Sequence, residues 1–345
     1  MRRYDIDWLR VIAIGLLLIY HVAIGFQSWG IMIGFITTRE PWASLWLPMS
    51  ALNVWRIPLL FVVSGMGVYF AMQRRSWKEL ILERAQRIGV PYLFGVFAIV
   101  PLHLFVWRSY YHMPLVYDFT PGHLWFLGNI FMYILILSPL FYYLKRNEKG
   151  KLAMAIKNSL GSPLGLLLVT ALFVGEVQLL KPVPYELYAM TWHGFVLGLL
   201  GFFVGFCFVL SGLAFWNMIQ TWRWLLLGLA LTGFFGRQFY IGAIATPGYL
   251  IAIESQAWIL AVLAFGSKHL NRPGRALAYL SQAAYPVYIL HMCFLYLGSS
   301  LIFPLTLPVQ VQFILVLLFT VAGCFLSFEL IRRIPYVRML FGLKS

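Results

Sequence analysis

Long apolar runs separated by short polar connections dominate the chain. Each run is long enough for a helix of about 20 residues, which spans a hydrocarbon core about 30 Å thick. Proline, glycine and charged residues mark the ends of the runs. The pattern predicts an all-α, polytopic integral membrane protein with about ten transmembrane helices. The predicted helices cover residues 9–30, 46–72, 89–108, 123–144, 162–180, 192–214, 222–241, 247–266, 275–299 and 309–331.

The composition supports an integral membrane protein. Hydrophobic residues make up 61% of the 345 positions, which is far above the share in soluble domains. No linker divides the chain, and the longest polar connection runs over residues 145–162, so a single domain over residues 1–345 is expected. The first run lacks a cleavage site and is expected to remain as a helix. Gly198, Gly201 and Gly205 predict a face where helices approach closely.

The positive charge of the chain follows membrane topology. The formal net charge is +15, and basic residues alternate between consecutive connections. With the N-terminus inside, 21 of the 26 lysines and arginines fall on the inner side, so the positive-inside rule places both termini in the cytoplasm. This distribution argues against nucleic acid as a partner. The five exceptions are Arg39, Arg56, Arg108, Lys181 and Arg237.

The three cysteines, Cys207, Cys293 and Cys324, all fall inside predicted spans. Their odd number and their burial do not suit a disulfide framework, and their spacing does not suit a metal site. They are interpreted as core residues, and no metal is expected.

Two polar residues of the first helix carry the most information. Arg10 and His21 are eleven residues apart, which is almost three helical turns, so they share one face about 16 Å apart. A phosphate-sized anion held by Arg10 could present the far end of its molecule to His21. A neutral imidazole near the middle of the membrane could then take a proton from a hydroxyl group.

Other ionisable residues inside predicted helices need partners, because polar groups are costly in hydrocarbon. Hydrogen-bonded packing is the favoured interpretation for His103, Glu176 and His193. Glu254 and His291 lie in the eighth and ninth predicted helices and remain candidates for a site.

Two further motifs have two interpretations each. Arg84 and Arg87 lie three residues apart at the inner end of the third helix, where paired guanidinium groups could bind phosphates. Charge that only sets topology explains them equally well. His123 and Trp125 begin the fourth helix on the outer side, where they could bind a sugar. Composition alone favours an interfacial aromatic belt.

Taken together, these motifs resemble the bacterial integral-membrane acyltransferase family 3, whose members are sugar and glucan O-acyltransferases. The resemblance covers almost the whole chain, and its most specific element is an arginine and a histidine with ten residues between them. Within the family the chain is most similar to the glucan biosynthesis protein C type, including Glu254-Ser255 and residues 329–335. The motifs occur in the family's order: Asp7, Arg10 and His21, then residues 61–65, 84–92, 123–127 and 285–291.

The resemblance implies a donor and a site for it. The donor is cytoplasmic acyl-CoA, which acts as a co-substrate, and no cofactor is bound permanently. Arg10, Arg84 and Arg87 would bind its phosphates, and its thioester would lie beside His21, the catalytic base. Whether an acyl-histidine intermediate forms stays open.

The acceptor implied by the resemblance is a hydroxyl group of a periplasmic or cell-surface carbohydrate or glucan. Glu254, His291 and Ser64 would orient His21 or the acceptor, and His123 and Trp125 would line the acceptor entrance. The acyl group, acetyl or succinyl, stays open, as does the oligomeric state. The expected location is the bacterial inner membrane.

The alternative function belongs to another class. Ten helices with alternating charged connections also suit a transporter for a solute or a lipid-linked sugar, which catalyses no covalent change. Phosphate-binding arginines in register with one deep histidine favour the acyltransferase, because transport does not require them.

Overall fold

The computed structural model describes residues 3–242 and 245–343, and within these ranges the chain is helical with no strand. Ten helical runs in the described residues are long and apolar enough to cross a membrane. They confirm the predicted fold class. The runs are α1 (Tyr4–Ile24), α2 (Ala43–Met72), α3 (Trp77–Tyr110), α4 (Gly122–Arg146), α5 (Pro163–Leu180), α6 (Trp192–Leu210), α7 (Arg223–Ile241), α8 (Gly248–His269), α9 (Arg275–Ile302) and α10 (Val309–Ile331).

The main difference from the predicted boundaries lies at the start of α3. The sequence pattern placed this helix at residues 89–108, whereas the helical run begins at Trp77. Residues Trp77–Arg84 carry four charged side chains and therefore do not form an apolar run, although Leu80 is fully buried. Arg84 and Arg87 consequently belong to the helical run and not to a connecting loop.

Shorter helices occupy several connections. The polar connection at residues 145–162 contains a helix, Lys151–Leu160, which the pattern of apolar runs does not predict. Leu213–Thr221 precedes α7, and Pro335–Leu340 follows α10. A 3₁₀ helix, Ser28–Ile33, follows α1.

The chain divides into two compact units, each built from several separate stretches of sequence. Unit 1 comprises residues 1–13, 53–82 and 129–274, and unit 2 comprises residues 14–52, 83–128 and 275–345. Arg2 and Lys344, which are counted among the inner basic residues, lie outside the described residues. The expected single domain over residues 1–345 stays a prediction.

Close helix packing dominates unit 1. Part of α2, Arg56–Met72, makes its most extensive contacts with α6. A Cβ atom at Gly65 would overlap the carbonyl of Phe202, and one at Gly205 would overlap the carbonyl of Val62. Only glycine permits this approach of two backbones, which confirms the predicted packing face.

A break inside α2 brings polar groups into unit 1. The helices Trp46–Asn53 and Arg56–Met72 are separated by a turn, which leaves the Val54 carbonyl outside a helical ladder. The hydroxyl groups of Tyr188 and Ser255 donate to that oxygen at 3.2 and 2.8 Å. These bonds satisfy the carbonyl within an apolar interior.

Unit 2 is built around α9. This helix packs against α10 and against Val100–Tyr110, the last part of α3. Aromatic and aliphatic side chains of α1, of the segment after it and of α9 form one buried core, with Phe26 and Val22 fully enclosed. The core surrounds the polar side chains described next.

Candidate active site

A pair of histidines joins α1 to α9 in unit 2. His21 Nδ1 and His291 Nε2 lie 2.9 Å apart, although the residues are 270 positions apart in the chain. The two rings are nearly parallel, with planes 3° apart and centroids separated by 5.1 Å. For a bond of this length, that separation places the rings side by side in one plane and not face to face. The lone pair of one nitrogen therefore points at the N–H of the other.

The backbone determines which nitrogen of His291 carries a proton. His291 Nδ1 lies 2.6 Å from the carbonyl oxygen of Tyr288. Because a carbonyl oxygen can only accept, Nδ1 must donate. In the neutral ring, Nε2 then holds a lone pair and accepts from His21 Nδ1–H. The lone pair of His21 is left on Nε2, so His21 has the tautomer of a general base.

His123 lies beside this pair. Its ring meets that of His291 edge-on, with centroids 5.0 Å apart, and its Nε2 donates to the Ile289 carbonyl oxygen at 3.0 Å. The Tyr288 hydroxyl donates to the backbone carbonyl of His123 itself. His123 Nδ1 is buried and holds a lone pair with no hydrogen-bond partner among the described residues. It can accept a hydrogen bond from a ligand hydroxyl.

His103 is a fourth histidine of the same region, and its place in an apolar run had favoured a packing role. Its side chain is buried, with its ring centroid 5.4 Å from that of His123 and 5.0 Å from that of Tyr296. We call His21, His103, His123 and His291 the histidine cluster. The one sequence signal for His103 was a histidine inside an apolar run, and nothing in the sequence linked it to His123.

Apolar and aromatic side chains enclose the histidine cluster. Phe35 lies 5.9 Å from the His21 ring and 5.8 Å from the Tyr296 ring, measured between centroids. The Tyr296 hydroxyl donates to the Gly34 carbonyl at 2.6 Å, which ties the segment after α1 to α9. His291 is fully buried and His21 is half-buried. Electrostatic interactions are stronger in such an environment than in water.

Trp125 follows His123 at the start of α4 and is half-buried. Its ring lies 6.2 Å from that of Phe126, which in turn lies 6.2 Å from Tyr288. Trp125 is thus part of the aromatic surroundings of the histidine cluster, to which His123 belongs. Their role in binding an acceptor stays a prediction.

The two arginines of α3 share one carboxylate. Glu83 lies 3.3 Å from Arg84 Nε and 3.1 Å from Arg87 Nη1. The backbone changes to a π-helix at Ala85–Gly89, a form that occurs often at functional sites. Arg87 Nε also donates to the carbonyl oxygen of Gly342 at 3.4 Å. The structure thus brings Arg84 and Arg87 together, as the phosphate-binding prediction requires.

Two predicted site residues lie in unit 1 and are described there. Arg10 pairs with Asp7 at 3.5 Å on α1, and a Cβ atom at Gly67 would lie 3.4 Å from its Nη2. Ser64 is half-buried and donates its hydroxyl to the Leu60 carbonyl one turn earlier at 2.7 Å. The predicted roles of Arg10 in donor binding and of Ser64 in acceptor binding stay predictions.

Glu254, which was predicted to act in the catalytic site with His21 and His291, is bound by Arg237 in unit 1. Both carboxylate oxygens accept from the guanidinium, at 2.8 and 2.9 Å, and both side chains are buried. Glu186, in the connection before α6, lies 4.0 Å from the same guanidinium. Burial raises the pKa of the Glu186 carboxyl above its usual value, and the charge of Arg237 offsets part of this rise. This bidentate pair gives Glu254 a structural partner, and its catalytic role stays a prediction.

A second buried pair in unit 1 joins α5 to α6. Glu176 Oε1 lies 2.7 Å from His193 Nδ1, and both side chains are almost fully buried. This is the hydrogen-bonded packing expected for these residues. Within the described ranges, no group of three or more histidine, cysteine or acidic residues could hold a metal ion.

Comparison with known proteins gives one result that identifies the family. Neither the curated proteins nor the solved structures give a match. A family model described as an acyltransferase domain matches residues 3–329, which is nearly the whole chain and contains the histidine cluster, Arg84 and Arg87. The chain therefore belongs to acyltransferase family 3, and it is a multi-pass membrane protein of the class that transfers acyl groups.

Proposed function

We propose that this protein is an acyl-CoA-dependent O-acyltransferase that esterifies a hydroxyl group of a periplasmic or cell-surface carbohydrate. The observation that supports it most is the tautomer of His21. The bonds from His21 to His291 and from His291 to the Tyr288 carbonyl leave the lone pair on His21 Nε2. A base held in this way inside an apolar core suits the removal of a proton from a hydroxyl group.

The proposed reaction uses this arrangement. His21 Nε2 takes the proton of the acceptor hydroxyl as its oxygen attacks the thioester carbonyl carbon. The carbon–sulfur bond then breaks, and the departing thiolate takes the proton back from His21 Nε2. The products are an ester and free coenzyme A. While His21 is cationic, its Nδ1–H bond to His291 Nε2 stabilises the charge.

The inner arginines supply the donor side of the proposal. The guanidinium groups of Arg84 and Arg87 carry two positive charges, and the single carboxylate of Glu83 pairs with both. Planar guanidinium groups bind phosphate oxygens with two parallel hydrogen bonds, which a lysine cannot reproduce. The phosphates of coenzyme A are the ligands that this pair fits.

His123 and Trp125 supply the acceptor side. An imidazole with a free lone pair can accept from a sugar hydroxyl, and indole rings stack on the apolar faces of sugars. We assign the acceptor to carbohydrates, with a glucan as the most specific form, in the manner of the glucan biosynthesis protein C type. The transferred group is acetyl or succinyl, and the membrane is the bacterial inner membrane.

A binding experiment with the purified protein tests the donor. We expect coenzyme A to bind to the wild type, and Arg87→Lys to weaken that binding although the charge is kept. Comparison of the glycans of strains with and without the gene by mass spectrometry then identifies the acyl group and the acceptor. A wild type that binds no coenzyme A, together with unchanged glycans, would favour a transporter.

A further inference from the structure

The C-terminal segment of the chain lies against the arginines of α3. The helix Pro335–Leu340 packs on Val90–Phe94, the α-helical turn that follows Arg87. The Phe341 ring is buried and meets that of Phe94 edge-on, with centroids 5.5 Å apart. These contacts fix the segment next to the predicted phosphate site.

Gly342 makes the closest approach. Its carbonyl oxygen accepts from Arg87 Nε at 3.4 Å, and its φ is +70°, a conformation that favours glycine. A Cβ atom at this position would lie 2.8 Å from the Arg87 carbonyl oxygen. Any larger residue at 342 would therefore push the segment away from Arg87.

Arg338 lies one turn before this contact. Its carbonyl oxygen accepts from Leu343 N at 3.0 Å, which closes the turn around Gly342. The side chain of Arg338 is half-buried, but its Nε atom is buried and has no hydrogen-bond partner among residues 3–242 and 245–343. A buried N–H without a partner is costly, and a ligand that the described chain does not supply would satisfy it.

We infer that Arg338 is a third phosphate-binding arginine of the donor site, and that residues 335–343 form one wall of that site. The ligand is a phosphate group of the nucleotide-bearing acyl donor. The inference rests on the proposed function, because it needs a donor at Arg84 and Arg87. It adds a residue that neither the charge pattern nor the family motifs assigned to binding.

A matched pair of variants tests this inference. Arg338→Gln and Arg333→Gln remove the same charge from the same end of the chain, but Arg333 is exposed and serves as the control. We expect Arg338→Gln to weaken coenzyme A binding at least about tenfold, as for the loss of a charge-assisted hydrogen bond, and Arg333→Gln to leave it within about twofold. Pantetheine, which lacks the nucleotide phosphates, should not distinguish the two variants.

Equal affinities of the two variants for coenzyme A would overturn the inference and leave the proposed function intact, provided that the wild type binds. A wild type that binds no coenzyme A would overturn both. If Arg338→Gln does not fold, the inference is tested with Arg338→Lys, which keeps the charge. We expect Arg338→Lys to bind coenzyme A more weakly than Arg333→Lys does. Equal binding by these two lysine variants would also overturn the inference.

A phospholipid headgroup offers the same phosphate chemistry, so the binding is measured in nanodiscs of zwitterionic lipid and again with anionic lipid. We expect the loss in Arg338→Gln in both. A loss that appears only with anionic lipid would assign Arg338 to the membrane surface and overturn the inference. Gly342→Ala should also weaken coenzyme A binding, whereas Gly274→Ala should not, because a Cβ atom at Gly274 meets nothing within 4 Å.

Discussion

His21 and His291 share one hydrogen bond of 2.9 Å between nearly parallel rings. The second nitrogen of His291 is committed to the Tyr288 carbonyl, so His291 can only accept from His21 while it is neutral. We therefore propose that His291 positions His21, in the way that a buried carboxylate orients the histidine of a hydrolase triad.

Replacement of His291 tests this positioning role. We expect His291→Phe to lower kcat by about 10² or more, because His21 loses the acceptor that fixes its tautomer. His291→Gln should retain more activity, since its side-chain carbonyl can still accept from His21 Nδ1–H. The measurement is steady-state kinetics with KM for the donor, which should stay unchanged. Equal losses in the two variants, with a raised KM in both, would indicate a general packing role.

Variants of the ion pair between Glu254 and Arg237 distinguish a structural from a catalytic role for Glu254. We expect Glu254→Ala to lower the free energy of unfolding by about 3–5 kcal/mol, because it leaves a buried guanidinium without its partner. The double variant Arg237→Met/Glu254→Leu removes both charges and should recover most of that loss. Thermal unfolding and transfer activity are measured together. A stable double variant without activity would support a catalytic role for Glu254, and a stable and active one would exclude it.

From the glycine contact between α2 and α6 we predict how a substitution by alanine changes the stability of the protein. Gly205→Ala introduces a Cβ atom that overlaps the Val62 carbonyl, so we expect a loss of about 1–3 kcal/mol or more. Gly228→Ala is the control, because a Cβ atom there meets nothing within 4 Å, and alanine in a helix is favoured by about 0.5–1 kcal/mol. Equal melting temperatures of the two variants would mean that α2 and α6 can move apart to admit the extra methyl group with little loss of stability.

Membrane orientation is predicted from the 21 basic residues on one side. Reporter fusions after Lys149 should report the cytoplasm, and fusions after Lys181 or Leu305 the outer compartment. An inverted pattern would remove the donor site from the cytoplasm, where acyl-CoA is made.

The sequence predicted the ten spans because hydropathy alone determines which segments enter a membrane. It missed Trp77–Arg84 because four of its eight residues are charged. It also suggested that His291 could orient His21, but not the bond itself, since the contact joins helices 270 positions apart. His103 and the Gly342–Arg87 contact depend on tertiary packing in the same way, and no local pattern encodes them.

The central claim is that His21 is the general base of acyl transfer, and transfer by a His21→Gln variant tests it most directly. A neutral amide of similar size should fold and still bind coenzyme A through Arg84 and Arg87, while transfer falls by at least about 10², the usual contribution of a general base. The measurement is transfer of a radiolabelled acyl group by purified protein, with coenzyme A affinity and melting temperature recorded for the same preparation. A folded variant that binds coenzyme A and transfers at a rate near that of the wild type would contradict the account.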